Sequence, residues 1–177
     1  MKGLTEELTK FLAEHWAQGK TSNSLTINFG QLLSHEIFSN QISEIKLFKI
    51  RKLLEENDSN PKTIVKTDYY YDDYVITIDP QTKEKQGYHI KTVDCMNFNT
   101  NRNLDLQFII NSKSQIKPIP SQDKFYSIIN INHLVYNLGN HLNGILDNKN
   151  SEFILQINYP ISNHEIDRIV SIAEELV

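Results

Sequence analysis

The chain has 177 residues, 39% of them hydrophobic and 23% charged, with a formal net charge of −4 and a pI near 5.8. This describes one globular domain, residues 1–177, with enough apolar content for a real core, and it excludes a disordered chain and a global electrostatic hold on nucleic acid. The single cysteine, Cys95, excludes an internal disulfide and a cysteine-based zinc site, and no apolar run is long enough to span a bilayer. The first residues carry Glu6 and Glu7 and lack a signal-peptide apolar stretch, so an intracellular location, cytoplasmic or nuclear and away from membranes, is expected.

Residues 5–18 place Leu8, Phe11, Leu12 and His15 or Trp16 at helical spacing behind Leu4, and a helix is expected there. A turn cluster, 19–24, leads to a strand over 25–29. Residues 43–56 read as a second helix, with Ile42, Ile45, Phe48, Leu53 and Leu54 on its apolar face and Lys46, Lys49, Arg51 and Lys52 on its wet one. Beyond Pro61 the period changes to two, and strands are expected over 63–71, 74–78, 86–98 and 104–112. A proline-marked link, 116–120, precedes an expected strand over 125–131. Residues 133–146 are expected to be helical, with Leu134, Leu138, His141, Leu142 and Ile145 on one side. A last strand, 153–157, and a closing helix, 162–176, opened by Ser162 or Asn163 with Glu165 in its first turn, complete the pattern.

The stretch from Tyr74-Val75-Ile76-Thr77-Ile78-Asp79-Pro80 through Ile90-Lys91-Thr92 to Leu104-Asp105-Leu106-Gln107 resembles the middle of the fungal-type, metal-dependent mRNA 5′-triphosphatases. Leu25-Thr26-Ile27-Asn28-Phe29-Gly30 is similar to that family's first metal strand, and Glu152-Phe153-Ile154-Leu155-Gln156-Ile157-Asn158-Tyr159-Pro160 to its last. The run Asp123-Lys124-Phe125-Tyr126 resembles its basic strand. The resemblance implies an α+β architecture: an antiparallel, barrel-like tunnel-fold sheet flanked by helices. It also implies that residues 25–29 and 153–157 are neighbours in one closed sheet, because both metal strands of the family face one cavity.

The family's activity depends on manganese or magnesium held by glutamates two apart on a strand, which therefore share a face. Thr26 and Asn28 stand in the acid positions of the first strand, and Ile154 and Gln156 in those of the last; only Glu152 is retained, at the outer edge. Val75 stands where a phosphate-binding arginine is expected, and Asn130 near a further acid position. Without the cation the γ-phosphate loses its main charge neutralisation, so the residues imply no catalytic residue, no metal and no cofactor. Lys91 and Lys124 remain as candidates to meet an anion.

Other patterns compete. His133, His141 and His164 lack a metal spacing, and Cys95 suits a small buried hydrophobe better than a nucleophile. Asp79 followed by His89-Ile90-Lys91 resembles a nuclease hairpin only distantly, because His89 is a poor hard-metal ligand. Tyr69, Tyr70, Tyr71 and Tyr74 should alternate faces and leave at least one ring exposed; beside Asp68, Asp72 and Asp73 they suit a protein partner better than a phosphate backbone. The function expected is therefore non-catalytic binding of RNA or a ribonucleoprotein such as the ribosome, through Lys46, Lys49, Arg51 and Lys52 or through Lys91 and Lys124. The alternatives are a protein-interaction subunit of a transcription complex, since the Mediator head contains non-catalytic subunits of related fold, and a divergent triphosphatase.

Overall fold

The computed structural model describes residues 2–15, 23–120, 124–158 and 161–177. The expectations for Trp16, the turn at 19–22, Asp123 and Tyr159-Pro160 lie outside them. In chain order the elements are α1 (Leu4–His15), β1 (Asn23–Leu32), β2 (Phe38–Ser39), α2 (Glu44–Asn57), β3 (Lys62–Tyr70), β4 (Val75–Ile78), β5 (Lys85–Phe98), β6 (Asp105–Ile116), β7 (Ser127–Asn137), β8 (Leu142–Asp147), β9 (Glu152–Asn158) and α3 (Asn163–Leu176).

Eight strands close on themselves in the order β1-β6-β5-β4-β3-β7-β8-β9, with β9 returning to β1. Every pairing is antiparallel, and the two-residue β2 adds to the edge of β1. The expected neighbourhood of the two distant strands is met in register: Thr26 faces Gln156 and Asn28 faces Ile154. Closure removes the open strand edges that would otherwise template association.

Strand alternation then divides the barrel. On β1, β6, β8 and β9, one face carries Leu25, Ile27, Phe29, Leu106, Phe108, Ile110, Leu142, Leu146, Phe153, Leu155 and Ile157, all at 0–1% exposure. This face turns away from the lumen and packs on the three helices in a single core, where the Phe29 and Phe153 rings lie 5.1 Å apart. These four strands are the floor of the tunnel. The roof, β3, β4, β5 and β7, has a smaller outer cluster built on Tyr71, Tyr74 and Ile76.

The helices begin as their sequences direct. Ser43 accepts a hydrogen bond from the Lys46 amide at the start of α2, and Ser162 from the Glu165 amide at the start of α3. α2 turns differently from expectation. Leu47, Ile50 and Leu54 are buried, whereas Ile45 and Phe48 stand 74% and 60% exposed. The helix is apolar on two sides, and the side nearer the barrel wins.

Residues 133–146 are not helical. They finish β7, turn at 138–141 and form β8. Leu134, Leu138, Leu142 and Ile145 match a helical period, but Leu134 and Tyr136 also alternate, as do Leu142, Gly144 and Leu146. Gly139, Asn140 and His141 have positive φ values of 83°, 47° and 64°, a left-handed run that no helix accommodates and that Gly and Asn accept. Asn132, Asn137, Asn140 and Asn143 are also poor helix formers.

Candidate functional site in the barrel lumen

The lumen face follows from register, because residues directly paired across antiparallel strands share a face. From the floor it receives Ser24, Thr26 and Asn28 of β1, Gln107, Ile109, Asn111 and Lys113 of β6, Asn143, Ile145 and Asp147 of β8, and Glu152, Ile154 and Gln156 of β9. From the roof it receives Lys62, Ile64, Lys66, Asp68 and Tyr70 of β3, Val75 and Thr77 of β4, Tyr88, Ile90, Thr92, Cys95 and Asn97 of β5, and Ile129, Ile131, His133 and Val135 of β7.

Thr26, Asn28, Ile154 and Gln156 thus meet on adjacent strands. In their midst the polar contacts are amide to amide. Asn28 Nδ2 donates to Gln107 Oε1 at 2.9 Å, and Gln107 Nε2 donates to Asn97 Oδ1 at 3.0 Å. Neutral amides and an isoleucine do not fit a manganese or magnesium ion, which takes anionic oxygens. Among the described residues no group of three or more His, Cys, Asp or Glu side chains is placed to hold a metal.

Charge enters the lumen at two places. On the roof, Asp68 is buried, accepts from Thr77 Oγ1 at 2.7 Å, and lies 3.7 Å from Lys66 Nζ. Lys113 Nζ sits 3.7 Å over the Tyr88 ring. Lys113 touches water, yet the surrounding wall desolvates it, and burial first, then Lys66, lowers its pKa against the opposing pull of Asp68. Where β7, β8 and β9 meet, His133 Nε2 lies 3.3 Å from Asp147 Oδ2, and Asp147 pairs directly with Glu152. A hollow of about 350 Å³ at this end is lined by Lys66, Ile131 and Asp147 and equally by Val65, Asn130 and Asn132 of the outer face. Ile64, Lys66, Thr77 and Gln86, together with Val65, Asp79 and Glu84, line another of about 190 Å³.

Lys91 is not a lumen residue. It pairs with Ser112, which shares the outer face with Ile110, and it is exposed outside the barrel. Counting back from the core residues Phe98 and Met96 would put it inside. The bulge between Thr92 and Asp94 adds a residue and inverts the parity. Among the described residues the lumen lysines are Lys62, Lys66 and Lys113, which strand alternation alone could have suggested once one partner was registered. Lys124 is exposed ahead of β7.

The cationic side chains of α2 are partly engaged. Lys46 Nζ donates to the Val177 carbonyl at 3.0 Å. Arg51 and Lys52 share Glu55 at 3.0 and 3.4 Å, and Lys52 also lies 5.4 Å over the Phe48 ring. Lys49 is exposed. The tyrosines do alternate, since Tyr69, Tyr71 and Tyr74 lie outside and Tyr70 faces the lumen, but none is exposed. Tyr71 and Tyr74 are buried and stacked at 4.7 Å, and Tyr69 and Tyr70 are half-buried. The exposed aromatics of that region are Phe125 and Tyr126, and Phe125 lies edge-on to Tyr69 at 5.2 Å. Asp79 instead closes a turn, accepting from the Gln81 and Thr82 amides, and His89 lies outside against the Asp73 carbonyl, so the nuclease pairing is not assembled.

No protein-family model and no curated protein sequence matches this chain. Solved structures do. The RNA triphosphatase Pct1 of S. pombe, in complex with the Spt5 CTD, superposes over 97% of this chain and 90% of its own with a TM-score of 0.73 at 7% identity. A structure of Pct1 alone covers 99% and 86% with a TM-score of 0.67 at 9% identity. The mimivirus capping enzyme triphosphatase covers 99% and 97% with a TM-score of 0.60 at 7% identity. The closed barrel and its helices are therefore the tunnel fold of the RNA triphosphatases, shared at the level of fold.

Proposed function

We propose that this chain is a non-catalytic tunnel-fold protein that acts by binding RNA or a ribonucleoprotein such as the ribosome. The observation that carries the loss of catalysis is the meeting of Thr26, Asn28, Ile154 and Gln156 on paired strands, where hydrolysis of a triphosphate needs carboxylates. RNA as partner draws support from the solvent-facing Lys49, Arg51 and Lys52 beside Phe48, and from Lys124 beside Tyr126, which pair phosphate-seeking charge with a ring for stacking. Proteins of this fold that act on RNA add to that support.

A second reading, a subunit of a protein assembly of the transcription machinery, draws on the exposed apolar side chains Phe125, Tyr126 and Ile128 on the roof. One pair of experiments separates these. Purified protein with manganese should release no γ-phosphate from triphosphate-ended RNA; turnover above blank would restore the enzyme class. RNA affinity should fall steeply with salt, and Lys49→Gln with Arg51→Gln and Lys52→Gln should flatten the log–log slope by about 0.7–0.9 per lost phosphate contact. Association that survives both ribonuclease and salt would favour the assembly subunit.

A further inference from the structure

The lumen has kept a feature that neither loss of metal nor contact with RNA explains. Three of its isoleucines stand open, while Ile109, Ile131, Ile145 and Ile154 are partly buried. Ile64, Ile90 and Ile129 face inward, paired with His133, Lys113 and Asp68 respectively, and stand 41%, 47% and 44% exposed. An eight-stranded barrel ordinarily closes to an interior that its own side chains fill. Here the roof leaves branched aliphatic surface open to water on the lumen face, at a cost in hydration free energy that an apolar occupant would recover.

The floor opposite is amide rather than aliphatic at its polar positions. Gln156 and Asn143 pair across β9 and β8, beside Thr26, and their side chains make no hydrogen bond to another described residue. A carboxamide presents two donors and a twice-accepting oxygen, the same complement that a peptide group displays. Lumen-side charge carries no positive excess, with Lys62, Lys66 and Lys113 against Asp68, Asp105, Asp147 and Glu152.

We propose that the lumen binds an extended, uncharged polypeptide segment with branched aliphatic side chains at alternate positions. Its side chains would lie against Ile64, Ile90 and Ile129, and its backbone amides would be met by Gln156, Asn143 and Thr26. A polyphosphate would find no excess of positive charge there. An acyl chain would bury the floor amides without partners, which is costly. The inference goes beyond binding of RNA on the outer surface and stands whether or not that binding occurs.

Cys95 provides the readout. It is the sole cysteine, it pairs with Ile109 on the lumen face, and it is exposed there. Burial, then Asp94, raises its pKa, so alkylation is slow but uniform at fixed pH. The probes are end-blocked peptides of roughly eight residues, long enough to cross a barrel, with Ile or Val alternating with Thr or Gln. Inorganic tripolyphosphate and dodecanoate are the comparison ligands. A bound peptide at ten times its dissociation constant should slow iodoacetamide labelling of Cys95 about tenfold, and the other two should leave it unchanged. Ile90→Glu with Ile129→Glu should abolish the protection while the thermal midpoint stays near that of the parent, because both side chains are exposed. Gln156→Ala with Asn143→Ala should weaken it. Labelling that no peptide slows would overturn the proposal, as would protection by tripolyphosphate or dodecanoate alone, or protection that persists in the Ile90/Ile129 variant. Loss of RNA binding with peptide protection intact would overturn only the RNA reading.

Discussion

The floor and the roof of the barrel are made of strands with the same period of two, yet they distribute apolar surface in opposite ways. On the floor, β1, β6, β8 and β9 put their large hydrophobics on the outside, against the helices, at near-zero exposure. On the roof, β3, β5 and β7 leave isoleucines and valines part-exposed on both faces, as at Ile64 and Val65 or Ile128 and Ile129. The helices cover the floor and, of the roof, only the ends of β5 and β7, where Phe98 and Tyr136 join the same core. Buried apolar surface, and with it folding free energy, is therefore concentrated below the lumen.

The largest effect should come from the floor. Phe153→Ala removes a fully buried ring that packs on Phe29, and a cost of about 3–5 kcal/mol is expected, against a change within about 0.5 kcal/mol for Ile128→Ala on the roof. Urea unfolding of the two variants checks this. A roof variant as damaging as the floor variant would break the comparison.

Gly30 tests where the floor meets its edge strand. A Cβ there would fall 1.9 Å from the Ser39 carbonyl oxygen, so β2 must move away from β1. Gly30→Ala should cost about 2 kcal/mol by the same overpacking logic that governs cores, and amide exchange should rise first in 31–39. Tyr71→Ala should cost less, about 1–2 kcal/mol, because it removes one ring of a stacked pair from a small cluster with exposed neighbours. If Tyr71→Ala instead matches Phe153→Ala, the roof cluster is a second core rather than a satellite.

The sequence disclosed the floor strands β1, β6 and β9 far better than the lumen. Strands 25–29 and 153–157 alternate cleanly because one face is sealed, and a sealed face writes its period in large hydrophobics. The closing helix carries both its cap and a full apolar stripe. The lumen could not be read in the same way. Its inward residues are a mixture of isoleucine, amide and lysine, so neither face of a roof strand is marked. A single extra residue near Val93 then reverses the inside and outside of β5 and puts Lys91, a candidate to meet an anion, on the outer surface. Leu134 to Leu146 failed for a related reason. Two short alternating strands joined by a tight turn produced leucines at helical intervals, and only the positive φ at 139–141 distinguishes them. On α2 the two apolar sides were equally legible, and burial of Leu47, Ile50 and Leu54 rather than Ile45 and Phe48 depends on which side meets β7 and the rest of the core.

The smallest expected effect lies at the end of the floor, at the direct pair Asp147 of β8 and Glu152 of β9. Burial, reinforced by the Asp147 charge and opposed by His133, pushes the Glu152 carboxyl above its ordinary pKa. Burial also pushes Asp147 up, but hydrogen bonds from the Asn150 backbone and side chain, with His133, outweigh it and hold Asp147 low. The two have opposite linkage. Stability from a raised carboxyl is full below the unfolded pKa and is lost as pH rises through the folded one; stability from a lowered carboxyl is present above the unfolded pKa and is lost as pH falls through the folded one. Glu152→Gln removes the first loss. It should therefore stabilise the protein at neutral pH, by about 0.5 kcal/mol or less because the site is partly open to solvent, and the gain should vanish below about pH 4, where glutamate is protonated in either state. Asp147→Asn should show the reverse profile, destabilising at neutral pH and converging with the parent in acid. Urea midpoints across that range decide it. A Glu152→Gln gain that persisted in acid would mean that the carboxylate charge is not its origin, and that this end of the floor is limited by packing instead.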